Sequence, residues 1–175
     1  MKKLSVIAAL FAASAATSAL AEDGTKIRIR LHGFQEVPVV STPGHGTFEA
    51  TINRDGTAID WTLSYDDMQA DVTQAHIHIA QRGVNGGIVL WMCKTTQTAP
   101  TTNICTPRSG NFSGTWMAAD VQPQVAQGIA AGELGEVIAA MKAGVAYANV
   151  HTTQTPTGEI RAQVKRNHGG HRDHD

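Results

Sequence analysis

Hydrophobic and polar positions alternate along most of this chain, and the alternation has a period of two. In residues 25–31 (TKIRIRL), Ile27, Ile29 and Leu31 fall on one side and Lys26, Arg28 and Arg30 on the other. That is the pattern of a strand with one face in a core and one in water. Residues 46–53 (GTFEATIN) put Phe48, Ala50 and Ile52 on one side, and residues 57–65 (TAIDWTLSY) return with Ile59, Trp61, Leu63 and Tyr65. The RDG between them, residues 54–56, reads as a hairpin turn. Further strands are expected at 72–79 (VTQAHIHI), 88–92 (IVLWM), 110–117 (GNFSGTWM), 145–152 (VAYANVHT) and 158–164 (GEIRAQV). Turns are expected at 83–87 (GVNGG) and 155–158 (TPTG).

The period changes once, between residues 122 and 143. Leu134, Val137, Ile138 and Met141 recur at helical spacing, and Gly144 stands where a C-terminal cap belongs. One or two short helices are expected there, with Gly132 and Gly135 blurring the break. Eight or so short strands with a turn about every ten residues predict an all-β domain, a Greek-key β-sandwich or small barrel. No internal repeat, linker or second domain is visible.

Composition changes the picture mainly at the two ends. Residues 1–21 combine a positive MKK start, an apolar small-residue run and Ala19-Leu20-Ala21, the features of a cleaved secretory signal peptide. The polar EDGTK that follows argues against a retained membrane anchor. The domain is therefore expected at 22–165, in a periplasmic or secreted protein of bacterial type. Without Lys2 and Lys3, twelve Lys and Arg face fifteen Asp and Glu, a net charge of −3. That balance gives no electrostatic reason to expect nucleic acid or an anionic membrane as partner. In an exported chain the two cysteines, Cys93 and Cys105, favour a disulfide over free thiols or a soft metal site. Closing so short a loop stabilises by roughly 3 kcal/mol on a chain-entropy argument. Residues 166–175 (RNHGGHRDHD) read as a disordered tail whose His168, His171 and His174 would bind metal only weakly.

The candidate chemistry lies in AHIHI. Residues i and i+2 of a strand share a face, so His76 and His78 point the same way while Ile77 and Ile79 enter the core. Two imidazoles about 7 Å apart at Cβ can tilt toward one ion with bonds of about 2 Å. His151 is the natural third ligand, because it shares a face with Tyr147 and Asn149 at the end of another strand. Three imidazoles converge if that strand pairs with the histidine strand. His32, on the polar face with Arg28 and Arg30, and His45, in a glycine-flanked loop, are possible additional ligands. Each of these histidines is also compatible with an ordinary exposed or hydrogen-bonded role.

Three ordered motifs carry a resemblance: LHGFQEVPVVSTPGHGTF, AHIHIAQRGVNGGIV and AYANVHTTQTPTGEIRAQV. Over residues 26–164 the chain resembles the CHRD domain family, first described in the developmental protein chordin and widespread in bacterial exported proteins. The family's recurring positions fall here on Glu36, Pro38, His76, His78, Asn149, His151, Glu159 and Arg161. Ala80 and Ala162 stand where the family commonly has glycine, and His32 is a departure that could be a private addition to the site. The resemblance implies an all-β fold and suggests copper; the fold expected is a Greek-key sandwich or barrel of superoxide-dismutase-like or immunoglobulin-like type. The H-x-H strand is also similar to the copper-ligand strand of copper-zinc superoxide dismutase, an analogy that does not fix function.

Three functions follow. The first is an exported metal-binding protein serving copper handling or electron transfer, with copper expected, zinc as alternative, and Asn149 and Glu159 orienting ligand imidazoles. Met68, Met92 and Met117 would add soft donors if near. The second is a copper-dependent dismutase-like or oxidative enzyme. The chain lacks a second histidine cluster with an aspartate in a long loop, and no nucleophile elbow or phosphate-binding loop appears. The third is a metal-free interaction module, with a protein partner or a homo-oligomer.

Overall fold

The computed structural model describes residues 24–96 and 103–165. The expected leader, residues 1–21, and the histidine-containing tail, residues 166–175, lie outside the described residues. The strands are β1 (Thr25–His32), β2 (His45–Ile52), β3 (Ile59–Asp66), β4 (Val72–Ile79), β5 (Gly87–Lys94), β6 (Gly110–Trp116), β7 (Ala146–Thr152) and β8 (Ile160–Gln163). One α-helix, α1 (Leu134–Ala143), precedes β7. No described helix is long and apolar enough to cross a membrane.

The strands hydrogen-bond in the antiparallel order β5-β4-β7-β8-β1-β2-β3-β6, a single sheet that curls almost into a barrel. At the seam the Trp116 indole N–H donates to the Trp91 carbonyl, joining β6 to β5. Around this seam the order β7-β4-β5-β6 is a Greek key: three consecutive strands with the fourth returning beside the first. The alternation in β1, β2 and β3 sorts as expected. Ile27, Ile29, Leu31, Phe48, Ala50, Ile52, Ile59, Trp61, Leu63 and Tyr65 fill the core, with Trp61 stacked on Trp116.

Of the one or two short helices expected, one is a full α-helix and a 3-10 turn at Val125–Gln127 precedes it. Residues 134–143 form α1 and bury Leu134, Val137, Ile138 and Met141, and Gly144 caps the helix at φ 75°. Residues 122–133 do not join it. Pro123 cannot donate in a helix interior, and Gly128 and Gly132 take positive φ. The glutamines there have another task. Gln122 N–H donates to the Val89 carbonyl, Gln124 Nε2 to the Ile88 carbonyl, and Gln127 Oε1 accepts from Gly87 N–H. They satisfy the outer edge of β5.

Cys93 and Cys105 form a disulfide. It draws the returning chain alongside β5, where Lys94 N–H donates to Asn103 O and Cys105 N–H to Lys94 O.

Strands β4, β7 and β8 differ from the rest. Their core faces carry Ala75, Ile77, Ile79, Ala146, Ala148, Val150, Ile160 and Ala162, all buried. Their outer faces carry His76, His78, Tyr147, Asn149, His151, Arg161 and Gln163, and these are buried too. Ala80 and Ala162 pack without disturbing the barrel. Connections from 33–44, 80–86 and 153–159 supply hydrogen bonds over this polar face: Arg161 donates to Asn85 Oδ1 and the Val84 carbonyl, and Asn85 Nδ2 to the Val37 carbonyl.

Candidate metal centre

Pairing of β4 with β7 brings the histidines together. The register sets His76 opposite Asn149, His78 opposite Tyr147 and Gln74 opposite His151. On its other side β4 slips register against β5 between Ala75 and His76 and again between Ile77 and His78. Such irregularities re-aim side chains, and they are common beside functional sites. The rings of His76 and His78 lie 4.4 Å apart, those of His76 and His151 4.5 Å, and those of His78 and His151 6.2 Å, centroid to centroid. One potential ligand nitrogen from each lies within 4.8 Å of the others. Two nitrogens bound to one ion at about 2 Å sit no more than about 4 Å apart. Small side-chain rotations would close the difference.

The chemistry of these nitrogens fits a cation. His78 Nδ1–H donates to the Gly86 carbonyl at 2.8 Å, and His151 Nδ1–H to the Pro156 carbonyl at 3.0 Å. A carbonyl only accepts, so each bond fixes the proton on Nδ1 and leaves Nε2 with a bare lone pair. Both Nε2 atoms, and both nitrogens of His76, are buried without a hydrogen-bond partner. Burial holds His76 well below the usual imidazole range and brings His78 down to about 4; His151 is lowered for the same reason. Neutral imidazoles with unclaimed lone pairs are what a metal ion needs and what a folded core otherwise avoids.

Tight backbone approach makes the Gly86 carbonyl contact possible, and a second glycine makes room for buried polar side chains. A Cβ on Gly86 would sit 1.8 Å from the Ile79 carbonyl oxygen, so only glycine brings that carbonyl to His78. Gly158, at φ 126°, has Glu36 Oε1 and Oε2 at 2.7 Å and Asn149 Nδ2 at 2.8 Å from where its Cβ would stand.

Further residues surround the group. Tyr147 stacks on His78 at 4.6 Å, and Arg161 lies over its ring at 3.4 Å. Trp91 meets His76 edge-on at 4.9 Å, with Lys94 Nζ 4.0 Å from its ring centroid. Glu36 is buried with Oε1 unpartnered; burial raises its carboxyl to about 7 against the pull of Arg161. Glu36 and Arg161 also line a small cavity of about 190 Å³ with Phe34, Arg82 and Gln163. The sequence reading gave Tyr147, Trp91, Glu36 and Arg161 no part in the site. For Glu36 and Arg161 the available signal was their place in recurring motifs.

Other candidates lie elsewhere. His32 and His45 are exposed and outside the three-histidine group. Asn149 is cross-strand to His76, but both His76 nitrogens are unpartnered and those of His78 and His151 bond only backbone carbonyls, so no hydrogen bond joins Asn149 to an imidazole. Glu159 turns to the end of the barrel, where Thr42, Thr152 and the Gln69 N–H donate to it. It ties three chain segments together and bonds no imidazole. Backbone carbonyls do the orienting expected of Asn149 and Glu159. Met68 and Met92 belong to the barrel core and Met117 is exposed.

One rung of the sheet spans seven strands, Asp66–His45–His32–Arg161–Asn149–His76–Trp91. It begins on the open surface and runs through buried His76 to Trp91.

A nearly closed antiparallel barrel with a buried three-histidine group on its outer face defines an all-β protein with a candidate metal centre. The chain belongs to the CHRD domain family, whose profile matches residues 27–164. No curated protein and no solved structure matches it.

Proposed function

We propose that this chain is an exported metal-binding protein that holds copper through His76, His78 and His151. The observation that carries the reading is the convergence of unpartnered, buried imidazole nitrogens with two tautomers fixed from behind by carbonyls. Three imidazoles suit copper or zinc, and copper stands above zinc in the divalent affinity order. A Cys93–Cys105 disulfide fits an oxidising compartment, the periplasm or the exterior. Copper handling or electron transfer would follow from such a site.

The test is elemental analysis of the full chain after competition between copper and zinc. In a background with His168, His171 and His174 changed to asparagine, one tightly held copper per chain is expected, lost in His76→Ala and in His151→Ala. Unchanged copper content in both variants would overturn the site.

A metal-free interaction module has one observation in its favour. Phe34, Val39 and Val84 expose their side chains on the two connections that Asn85 joins over the polar face. Under that reading the histidine variants change stability and leave copper content at background.

A further inference from the structure

We propose that His32 and His45, with Asp66 beside them, form a second site for a divalent transition-metal ion on the open face of the barrel. The inference is independent of the buried centre. His32 is the direct partner of His45 across β1 and β2, and His45 is the direct partner of Asp66 across β2 and β3. Directly opposed residues of antiparallel strands project from the same face with Cβ atoms about 5 Å apart. All three are exposed. Unlike those of the buried group, their ligand atoms do not all stand within 4.8 Å of one another, so both imidazoles must turn to reach one ion with bonds of about 2 Å; a carboxylate on the next strand, whose Oδ1 accepts the Asp67 N–H, adds an oxygen and a negative charge.

A second observation comes from the tautomer of His45. Its Nδ1–H donates to the Pro43 carbonyl at 3.2 Å, so Nε2 carries the lone pair. This is the arrangement that His78 and His151 have in the buried group. His32 Nε2 already acts as an acceptor, taking a hydrogen bond from the exposed Gln35 amide at 2.9 Å. A metal ion would displace that amide and turn two exposed rings, and such ordering makes the site weaker than one built in a core. The expectation is therefore two ions per chain of unequal affinity, the weaker one on the surface.

Zinc titration by calorimetry tests this in the full chain with the three tail histidines replaced by asparagine. Zinc alone is the probe, which avoids redox chemistry. Two binding events are expected. His32→Asn and His45→Asn should each weaken the second by about tenfold or more, and Asp66→Asn by less. His76→Asn should leave the second event in place, which separates the two sites. The substitutions at His32, His45 and Asp66 lie on the surface, so loss of fold does not compete as an explanation for their effect. A single event abolished by His76→Asn, or a second event unmoved by the His32→Asn/His45→Asn double variant, would overturn the proposal.

Discussion

The two halves of the barrel are built alike inside and differently outside. Strands β1, β2 and β3 turn Arg28, Arg30, Asp60 and Thr62 to water, and Arg28 pairs with Glu49 there. Strands β4, β7 and β8 turn an equally polar set inward beneath their covering connections. Water satisfies the first set at no structural cost. The second must find partners inside the molecule, and most of it does: Gln163 reaches the Ala80 and Gly144 carbonyls, and Arg161 reaches Val84 and Asn85. The side chains left with unpartnered atoms are the three histidines, Glu36 and Asn149, and apart from Trp61 they are all that remain among the described residues. A buried polar face is informative because each atom it leaves unsatisfied calls for an explanation, and a convergent set of them points to an ion that the group could hold.

The largest effect tests the common interior. Ile77→Ala on β4 and Leu63→Ala on β3 both empty fully buried positions, and each should cost about 2–5 kcal/mol in urea denaturation. A much smaller loss for Ile77→Ala would mean that the histidine half is loosely packed, and the comparison would fail.

Next comes the outer face of β4. In the metal-free chain His76→Leu removes two unpartnered nitrogens, so stability should hold or rise by about 1 kcal/mol. The same variant should lose the stabilisation that copper gives the native chain. A clear destabilisation without metal would show that His76 has partners after all.

Acid titration sharpens the contrast further. His78 is held near 4 against its ordinary 6.5, so the unfolded chain takes up the proton first as pH falls. Its contribution is present above 6.5 and lost between 6.5 and about 4, and His76 and His151 act in the same direction. Glu36 is raised from 4.5 to about 7, which works oppositely: its contribution is present below 4.5 and lost as pH rises to about 7. Metal-free urea midpoints between pH 4 and 7 should therefore climb more steeply in Glu36→Gln and less steeply in His78→Asn. Parallel curves for all three chains would remove the electrostatic part of the argument.

The smallest effect belongs to the open face. Arg28→Ala breaks an exposed ion pair with Glu49 and should change stability by less than about 1 kcal/mol.

What could be read from sequence follows the same division. Where one face meets water, as in TKIRIRL, alternation alone places every side chain. In AHIHI the period of two put both histidines on one face, but their distance from His151 depended on pairing β4 with β7, a contact across more than seventy residues. The orienting groups were harder still. The carbonyls of Gly86 and Pro156 have no side-chain letter, and only the glycine at 86, which permits close approach, leaves a trace. Glu159 looked like an orienting carboxylate, yet its hydrogen bonds tie down three segments at the barrel end. Between 122 and 133 only Val125–Gln127 makes a helical turn, because Gln122, Gln124 and Gln127 are committed to β5, and that edge pairing has no signature in the hydrophobic period.

That commitment bears on how the molecule behaves at high concentration. A sheet that stops short of closing has an end strand whose free amides and carbonyls invite another chain to add on. On β5 those groups are already spoken for, by Gln122, Gln124 and Gln127 on one stretch, by the Trp116 indole at Trp91, and by Asn103 and Cys105 at Met92 and Lys94. The disulfide holds the last of these in place. Reducing it should therefore do more than loosen a loop: it should bare the end of β5 and favour strand-to-strand aggregation, with the histidines still in their places.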